Sequence, residues 1–270
     1  MLPFDHARPL SRRAFLATTS FGAAGVLLSC ATPGLTDPYA SSNVRLSVRP
    51  SPPTLPGPLG LRRLGLDGAR DGSIYVPASY SPASPAPMVL LLHGAAGAAE
   101  SFITRRIPEA DATGQIVLAV DSRSSTWDGV AFAYFDADIA FLDAVLQDTF
   151  VRYAVDPTRL AVAGFSDGAT MALALGLANG DLLPRVVAWS PGFLIDPHRV
   201  GKPSVFITHG INDPVLPIDS TSRVIVPQLR GTGYTVEYRE FVGVHEVPND
   251  LLHETMGWMA ASGGSAARSG

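Results

Sequence analysis

The residues best suited to chemistry lie in the segment Gly164-Phe165-Ser166-Asp167-Gly168. A short apolar run at residues 160–163 precedes it and a longer one at residues 169–178 follows it, which indicates a buried strand and then a buried helix. Gly-x-Ser-x-Gly between a strand and a helix turns the chain sharply and presents the serine hydroxyl at the top of a sheet. Both glycines are needed because a side chain at either position would collide with the neighbouring strand and helix. We therefore predict that Ser166 is a nucleophile.

The pattern needs support from the rest of the chain, because 26 glycines in 270 residues produce it by chance about 0.2 times. Apolar runs predict strands at residues 61–66, 72–76, 88–92, 116–120, 160–163, 186–189, 204–208 and 235–241. Helical patterns fall at residues 100–113, 137–153, 168–177, 219–231 and 249–259. Two strands followed by repeated strand–helix units predict an α/β fold, with a largely parallel sheet and helices on both faces. Ligands of such folds bind beyond the carboxyl ends of the strands.

Two loops after later strands hold an acid and a base. Asp213 follows the strand at 204–208, where a carboxylate can reach across the top of the sheet to fix the tautomer of a histidine and stabilise the imidazolium. Asp196, after the preceding strand, is the alternative acid, but it has no comparable pattern around it. His245 follows the last predicted strand, and its place in chain order makes it our predicted general base.

The loop His93-Gly94-Ala95-Ala96-Gly97 follows the third predicted strand. Its small residues allow backbone N–H groups to face inward, as an oxyanion hole requires. We expect the two donors to be the N–H of Ala95 and the N–H of Asp167, the residue after the nucleophile. The Asp167 carboxylate must then point away from the developing oxyanion. His93 itself is predicted to be structural.

The order Ser166, Asp213, His245 is the nucleophile–acid–base order of one fold. The chain resembles the α/β-hydrolases, and within them the small esterases of the phospholipase/carboxylesterase group and the related feruloyl-esterase and polyhydroxybutyrate-depolymerase-like proteins. The matching motifs are Leu92-His93-Gly94, the segment around Ser166, His209-Gly210-x-x-Asp213-Pro214-Val215 and Gly243-x-His245, which together span residues 88–248.

The resemblance implies a serine hydrolase that cleaves carboxylic esters through an acyl-enzyme intermediate, with no large cap domain because the segments between strands are short. Asp167 departs from the pattern, since close relatives often have Gln or Met there. Two alternatives stay open: an acyltransferase with the same three residues, and a catalytically silent envelope lipoprotein that acts as a binding module.

Trp127 and Phe193 each follow a predicted strand and are the candidates for contacting an ester substrate. Ordinary core packing is the alternative for both, because aromatic side chains dominate protein cores. The sequence contains no metal-ligand spacing, no dinucleotide-binding glycine pattern and no phosphate loop. We therefore predict neither a cofactor nor a metal.

Composition narrows the class of protein further. The chain is 46% hydrophobic and 16% charged, which excludes disorder over its whole length and allows a sizeable core. The net charge is −4, no run of basic residues occurs, and Lys202 is the only lysine. We therefore expect no nucleic-acid partner.

The first thirty residues predict export. Arg12-Arg13 stand before a short apolar segment at 17–28, which resembles a twin-arginine signal and is too short to span a bilayer stably. The single cysteine, Cys30, follows Leu27-Leu28-Ser29. This resembles a lipobox, in which a lipidated cysteine anchors the mature chain to a membrane; ordinary signal cleavage beside Cys30 is the open alternative.

We expect either route to place the protein outside the cytoplasm, in the periplasm or as a membrane-anchored lipoprotein, with full secretion as the alternative. The predicted organisation is an export signal at 1–30, a tether rich in Pro and Ser at 31–60, a catalytic domain at 61–262 and a flexible tail at 263–270.

Overall fold

The computed structural model describes residues 44–262. The strands are β1 (Gly60–Arg63), β2 (Gly72–Val76), β3 (Ala86–Leu92), β4 (Ile116–Val120), β5 (Val155–Phe165), β6 (Arg185–Trp189), β7 (Ser204–Gly210) and β8 (Val236–Phe241). The helices are α1 (Ala99–Thr104), α2 (Ile107–Thr113), α3 (Asp128–Ala131), α4 (Ala137–Phe150), α5 (Asp167–Ala178), α6 (Ser222–Gly231) and α7 (Asn249–Ala260). The predictions for the export signal, Cys30 and the tail lie outside the described residues.

All eight strands form one sheet, in the order β1-β2-β4-β3-β5-β6-β7-β8. β1 and β2 pair antiparallel with their neighbours, and from β4 to β8 every adjacent pair in the sheet is parallel. The predicted fold class is thus confirmed. Every residue of β3 and β4 is buried, because helices cover both faces of the parallel part of the sheet. This explains why these strands are continuous apolar runs with no alternation of polar residues.

The core has two layers, one on each face of the sheet. Leu90 points into the layer under α4, α5 and α6, and its neighbour Leu91 points into the layer under α1, α2 and α7, since successive side chains of a strand face opposite ways. Within residues 44–262, no helix is both long enough and apolar enough to span a membrane.

The register brings the functional strands to a common edge of the sheet. Leu92 pairs with Gly164, Phe165 with Trp189, and Gly210 with Phe241. The loops after β3, β5, β6, β7 and β8 therefore emerge side by side, and we call this side of the sheet the carboxyl edge.

Three helices differ from their predicted bounds by three residues or more. The helix predicted at 137–153 ends at Phe150. The helix predicted at 100–113 is divided into α1 and α2 at Arg105 and Arg106, with Pro108 in the first turn of α2. Proline has no N–H to donate and is accommodated best in the first turn of a helix. The helix predicted at 219–231 begins at Ser222, after a 3-10 turn at Ile218–Ser220.

The folded unit begins earlier than the boundary predicted at residue 61. Residues 44–59 form no helix or strand, yet Val44 and Leu46 are buried in the core. The Asn179 side chain accepts from the N–H of Leu46 and donates to the carbonyl of Val44, both at 2.8 Å. The Asn179 side chain thus forms the hydrogen bonds that a neighbouring strand would otherwise form with this backbone. The apolar residues of the predicted tether therefore pack on the core without extending the sheet.

Candidate active site

Ser166 stands at the turn between β5 and α5 with φ +57° and ψ −120°, a conformation that non-glycine residues rarely adopt outside functional sites. Its N–H donates to the carbonyl of Trp189 at 3.0 Å. A Cβ on Gly164 would overlap the carbonyl of Gly168, and a Cβ on Gly168 would overlap the carbonyl of Leu92. Both glycines are therefore required for the turn, as the sequence predicts.

The structure brings Asp213 and His245 together. Nδ1 of His245 lies 2.6 Å from Oδ2 of Asp213, and Oδ1 of Asp213 accepts the N–H groups of Val215 and Leu216 at 2.8 and 2.9 Å. Burial raises the pKa of Asp213, but the hydrogen bonds from Leu216 and His245 outweigh it, so the pKa lies below its ordinary value. The side chain is thus an ionised acceptor that holds the His245 proton on Nδ1.

The alternative acid, Asp196, is placed elsewhere. Its carboxylate binds Arg199 at 2.6 Å and is 65% exposed to solvent. An exposed ion pair of this kind contributes little to stability and gives Asp196 no histidine to orient.

His209 supports the Asp213 loop, a role that its sequence context did not indicate. It is fully buried, with Nδ1 2.6 Å from the hydroxyl of Ser222 and Nε2 2.8 Å from the carbonyl of Leu216. Nε2 also lies 3.2 Å from Oδ2 of Asp213. Burial lowers the pKa of His209, so the neutral ring donates from Nε2 and fixes the turn that carries the acid.

His245 is held against the nucleophile turn by an aromatic contact. The ring of Phe165, the residue before Ser166, lies 4.6 Å from the imidazole between centroids, with 36° between the planes. At the end of β7, a Cβ on Gly210 would overlap the carbonyl of Val244. Glycine at this position allows the loop that carries His245 to lie directly on the end of the strand.

The loop after β3 lies against the nucleophile. A Cβ built on Gly94 would be 3.3 Å from the Cβ of Ser166. The N–H of Ala96 donates to the carbonyl of Ser125 at 2.7 Å and the N–H of Gly97 to that of Gly94 at 3.0 Å. The N–H of Ala95 has no backbone acceptor in the described part of the chain, which leaves it available to a ligand.

The His93 side chain holds the loop after β3 in place through two hydrogen bonds. Its Nδ1 lies 2.7 Å from the carbonyl of Gly94, and its Nε2 accepts the N–H of Ser122 at 3.1 Å. Burial lowers the pKa of His93, which favours the neutral ring that both bonds require. The residue is structural in these contacts, as predicted.

The Asp167 carboxylate is turned towards the loop after β4. Its Oδ2 accepts the hydroxyl of Thr126 at 2.8 Å. The sequence predicts that this carboxylate must point away from an oxyanion. The hydrogen bond from the Thr126 hydroxyl holds it in another direction, towards the loop after β4. No pattern in the sequence singles out Thr126.

The two aromatic candidates differ in exposure. Trp127 is fully buried, and its indole N–H donates to the carbonyl of His93 at 2.9 Å, so in this structure it braces the loop after β3 and offers no surface to a substrate. Phe193 is 44% exposed. It follows Gly192, whose N–H donates at 3.0 Å to the hydroxyl of Thr170 in the first turn of α5, and its ring is accessible to solvent.

A cavity of about 420 Å³ opens beside His245, between α1 and α7. The residues lining it are Ser101, Phe102, Arg105, Arg106, Phe165, His245, Glu246, Val247, Asn249 and Leu252. Its walls combine apolar side chains with three charged ones, a composition suited to a small organic ligand.

A mostly parallel sheet with a strained serine after the central strand β5, and an acid and a histidine in later loops at the same edge, defines the chain as an α/β-hydrolase. Residues 65–226, more than half of the chain, match the family of putative esterases. The protein therefore belongs to this esterase family.

Curated relatives agree with that assignment. Feruloyl esterase C of Emericella nidulans is 28% identical over 158 residues, which cover 56% of this chain and 57% of that enzyme. The putative esterase NocK of Nocardia uniformis subsp. tsuyamanensis is 30% identical, over 53% of this chain and 46% of the relative. The chain thus spans about half of the length of the curated relatives that it matches.

Among solved structures, the fluorophosphonate-binding serine hydrolase FphF of Staphylococcus aureus superposes with a TM-score of 0.61 at 14% identity. The superposition covers 76% of this chain and all of that one. At this identity the likeness establishes the shared fold.

Proposed function

We propose that the protein hydrolyses carboxylic esters through an acyl-enzyme, with Ser166 as nucleophile, His245 as general base and Asp213 as the acid that orients it. The observation that carries the proposal is the 2.6 Å bond between His245 Nδ1 and Asp213 Oδ2. With Nδ1 protonated, Nε2 keeps its lone pair and can accept a proton from a serine.

In the first step Ser166 Oγ attacks the ester carbonyl carbon while its proton passes to Nε2 of His245. The tetrahedral intermediate collapses, and the imidazolium returns the proton to the oxygen of the leaving alcohol. A water molecule, deprotonated by the same nitrogen, then attacks the acyl-enzyme and releases the carboxylic acid and the free serine.

The oxyanion is bound by the N–H groups of Ala95 and Asp167 in this proposal. Asp167 begins α5, so its N–H has no acceptor within the helix, and the positive end of the helix dipole favours a developing negative charge. Donors fixed in this way need no rearrangement as charge develops, which is the basis of oxyanion stabilisation.

The family match and the relatives named feruloyl esterase support an ester as substrate. Short acyl esters, feruloylated sugars and hydroxybutyrate oligomers are the classes to compare. A panel of these esters with purified protein identifies the preferred acyl group.

The proposal is tested by Ser166→Ala. We expect the variant to lose hydrolysis of p-nitrophenyl acetate by about 10⁴-fold or more in kcat/KM and to lose covalent labelling by a fluorophosphonate. Ser81→Ala changes a serine of a turn between β2 and β3 and serves as the control, with wild-type activity expected. Full activity or undiminished labelling of the Ser166 variant would refute the proposal.

A further inference from the structure

The cavity beside His245 contains more positive than negative charge. Arg105 and Arg106, from the junction of α1 and α2, line one wall, and Glu246 is the one carboxylate among its lining residues. Neither guanidinium forms an ion pair within residues 44–262, although other arginines in that range pair with carboxylates. Two unpaired arginines side by side at a ligand-sized cavity are an arrangement that the fold alone does not require.

Arg106 is only 4% exposed. One of its terminal nitrogens donates to the carbonyl of Phe102 at 2.8 Å, and the guanidinium lies 3.7 Å from the centroid of the Phe102 ring. Its Nε has no hydrogen-bond partner in the described chain. A buried, incompletely bonded cation is costly unless an anion compensates it.

The two cations also act on each other. Burial and the neighbouring charge of Arg105 lower the pKa of Arg106 to about 9, against the opposing effect of Glu109. The guanidinium is nevertheless protonated at neutral pH. An anion in the cavity would offset both the burial and the repulsion.

The position of the cavity indicates which part of an ester it receives. His245 lines it, whereas Ser166 does not. In the proposed reaction His245 gives its proton to the leaving oxygen, so the alcohol portion departs on the side of the imidazole. Arg105 and Arg106 then lie beyond the leaving oxygen.

We propose that this cavity binds an anionic group on the alcohol portion of the ester, of the carboxylate type, through the guanidinium groups of Arg105 and Arg106. The inference rests on the proposed ester hydrolysis and adds a substrate class to it. Arginine suits the role because its planar donors match a carboxylate in two parallel hydrogen bonds.

A matched pair of substrates isolates the charge. 4-Acetoxybenzoic acid and 4-acetoxybenzamide share the acetyl group and the phenol ring, and differ in whether the ring carries a carboxylate or a neutral amide at pH 7. We expect the ratio of kcat/KM for the acid to that for the amide to exceed one in the wild-type protein. In Arg105→Gln the ratio should fall about 10-fold, the size typical of one charge-assisted hydrogen bond.

Glu246→Gln removes the negative charge from the same cavity and should raise the ratio. Arg159→Gln is the control for net charge, because Arg159 pairs with Asp156 near the amino end of β5 and should leave the ratio unchanged. Inhibition of 4-acetoxybenzamide hydrolysis by 4-hydroxybenzoate gives a separate binding measurement, with a higher inhibition constant expected in Arg105→Gln.

If Arg105→Gln hydrolysed 4-acetoxybenzamide and kept the wild-type ratio of kcat/KM for the acid to that for the amide, the anion site would be refuted. The proposed ester hydrolysis would be unaffected by that result. A preference for anions only when the carboxylate is on the acyl side, as in p-nitrophenyl hydrogen succinate against p-nitrophenyl butyrate, would overturn the assignment to the alcohol portion. If the wild-type protein hydrolysed none of these esters, the proposed hydrolase function would instead be refuted.

Discussion

At the scale of single residues, the unusual feature is a carboxylate directly after the nucleophile. In the proposed mechanism the N–H of Asp167 stabilises an oxyanion, while the side chain of Asp167 carries the charge that would oppose one. The 2.8 Å bond from Thr126 holds that carboxylate towards the loop after β4. We therefore predict that Thr126 is a positioning residue whose effect on catalysis passes through Asp167.

Thr126→Val removes the hydroxyl and keeps the shape of the side chain. Without its partner the Asp167 carboxylate can turn towards the oxyanion donors, so we expect kcat for p-nitrophenyl acetate to fall about 5- to 30-fold, equivalent to roughly 1–2 kcal/mol of transition-state stabilisation, with little change in KM. Steady-state kinetics of the purified variant measure both constants.

Two further variants separate positioning from folding. Thr126→Ser restores the hydroxyl and should restore most of kcat. In an Asp167→Asn background the charge is absent, so Thr126→Val should cost much less there than in the wild-type protein. An equal loss in both backgrounds would contradict the positioning role.

At the scale of elements, the central strands β3, β4 and β6 were predicted well because burial on both faces makes their sequences apolar. β5 begins at Val155, five residues before its predicted start, because Asp156, Pro157 and Thr158 interrupt the apolar run. The bounds of β2 and β4 agree with the prediction to the residue. The break between α1 and α2 was missed because Arg105 and Arg106 fit a continuous helical pattern. The short helix α3 was missed because four residues give no periodicity to read.

The close packing of α5 against the end of β3 requires glycine at position 168. Gly168→Ala would drive a Cβ into the carbonyl of Leu92, so we expect the free energy of unfolding to fall by roughly 2–4 kcal/mol, as for other overpacked or strained core positions, with loss of esterase activity. Urea unfolding measures the change.

Gly257→Ala is the matched control, since Gly257 lies within α7 and has no atom within 4 Å of its would-be Cβ. Here alanine should stabilise the protein by about 0.5–1 kcal/mol through its higher helix propensity. Destabilisation by both changes to the same extent would contradict the steric argument.

A buried pair of carboxylates, Asp128 at the start of α3 and Asp138 in the first turn of α4, holds the segment between β4 and α4. Asp138 accepts the N–H groups of Arg123 and Asp128 at 2.7 and 2.6 Å, and Asp128 accepts that of Asp138 at 3.1 Å. Burial raises the pKa of Asp138 from 3.8 to about 6 despite these hydrogen bonds, and the charge of Asp128 adds to the increase. The segment between β4 and α3 carries Thr126, so the stability of these hydrogen bonds affects the candidate active site.

The raised pKa of Asp138 determines the direction in which its contribution to folding stability changes with pH. The folded protein binds the Asp138 proton more tightly than the unfolded chain, so this stabilising contribution is complete below pH 3.8 and is lost as the pH rises through 6. Two units of pKa correspond to at most about 3 kcal/mol. The loss of stability caused by Asp138→Asn should therefore be larger at pH 4 than at pH 7, as measured by urea unfolding.

Asp250→Asn, at an exposed position in the first turn of α7, is the control for a change of one carboxylate. If Asp138→Asn lowered the free energy of unfolding by the same amount at pH 4 and pH 7, the proton on Asp138 would not contribute to stability.

At the scale of the whole molecule, the segment before β1 is part of the domain. Val44 and Leu46 complete the core layer next to α4 and α5, and Arg45 pairs with Asp181 at 2.7 Å. The ion pair is partly exposed and adds little to stability, so the two apolar side chains dominate the contribution of this segment.

Removal of residues 1–49 should destabilise the protein, while removal of residues 1–43 keeps Val44 and Leu46 together with their contacts in residues 44–262. Full burial of a Val or Leu side chain is worth about 1.5–3 kcal/mol, so we expect the two shortened chains to differ by roughly 3–6 kcal/mol in the free energy of unfolding. Thermal and urea unfolding of both chains test this. Equal stability would show that the segment is a tether after all.

The sequence by itself predicted the fold class, the nucleophile turn and the candidates for the acid and the base, with Asp213 preferred to Asp196. Each of these follows from local features: apolar runs of strand length, glycines at a turn that excludes side chains, and a loop after a strand. Only the tertiary structure placed His245 on Asp213 and not beside Asp196, because the choice depends on which strand lies next to which in the sheet. It also assigned the Asp167 carboxylate to Thr126, buried Trp127, and set Arg105 and Arg106 at a cavity beside His245. These contacts join residues that are far apart in the chain, and their spacing leaves no trace in a linear pattern.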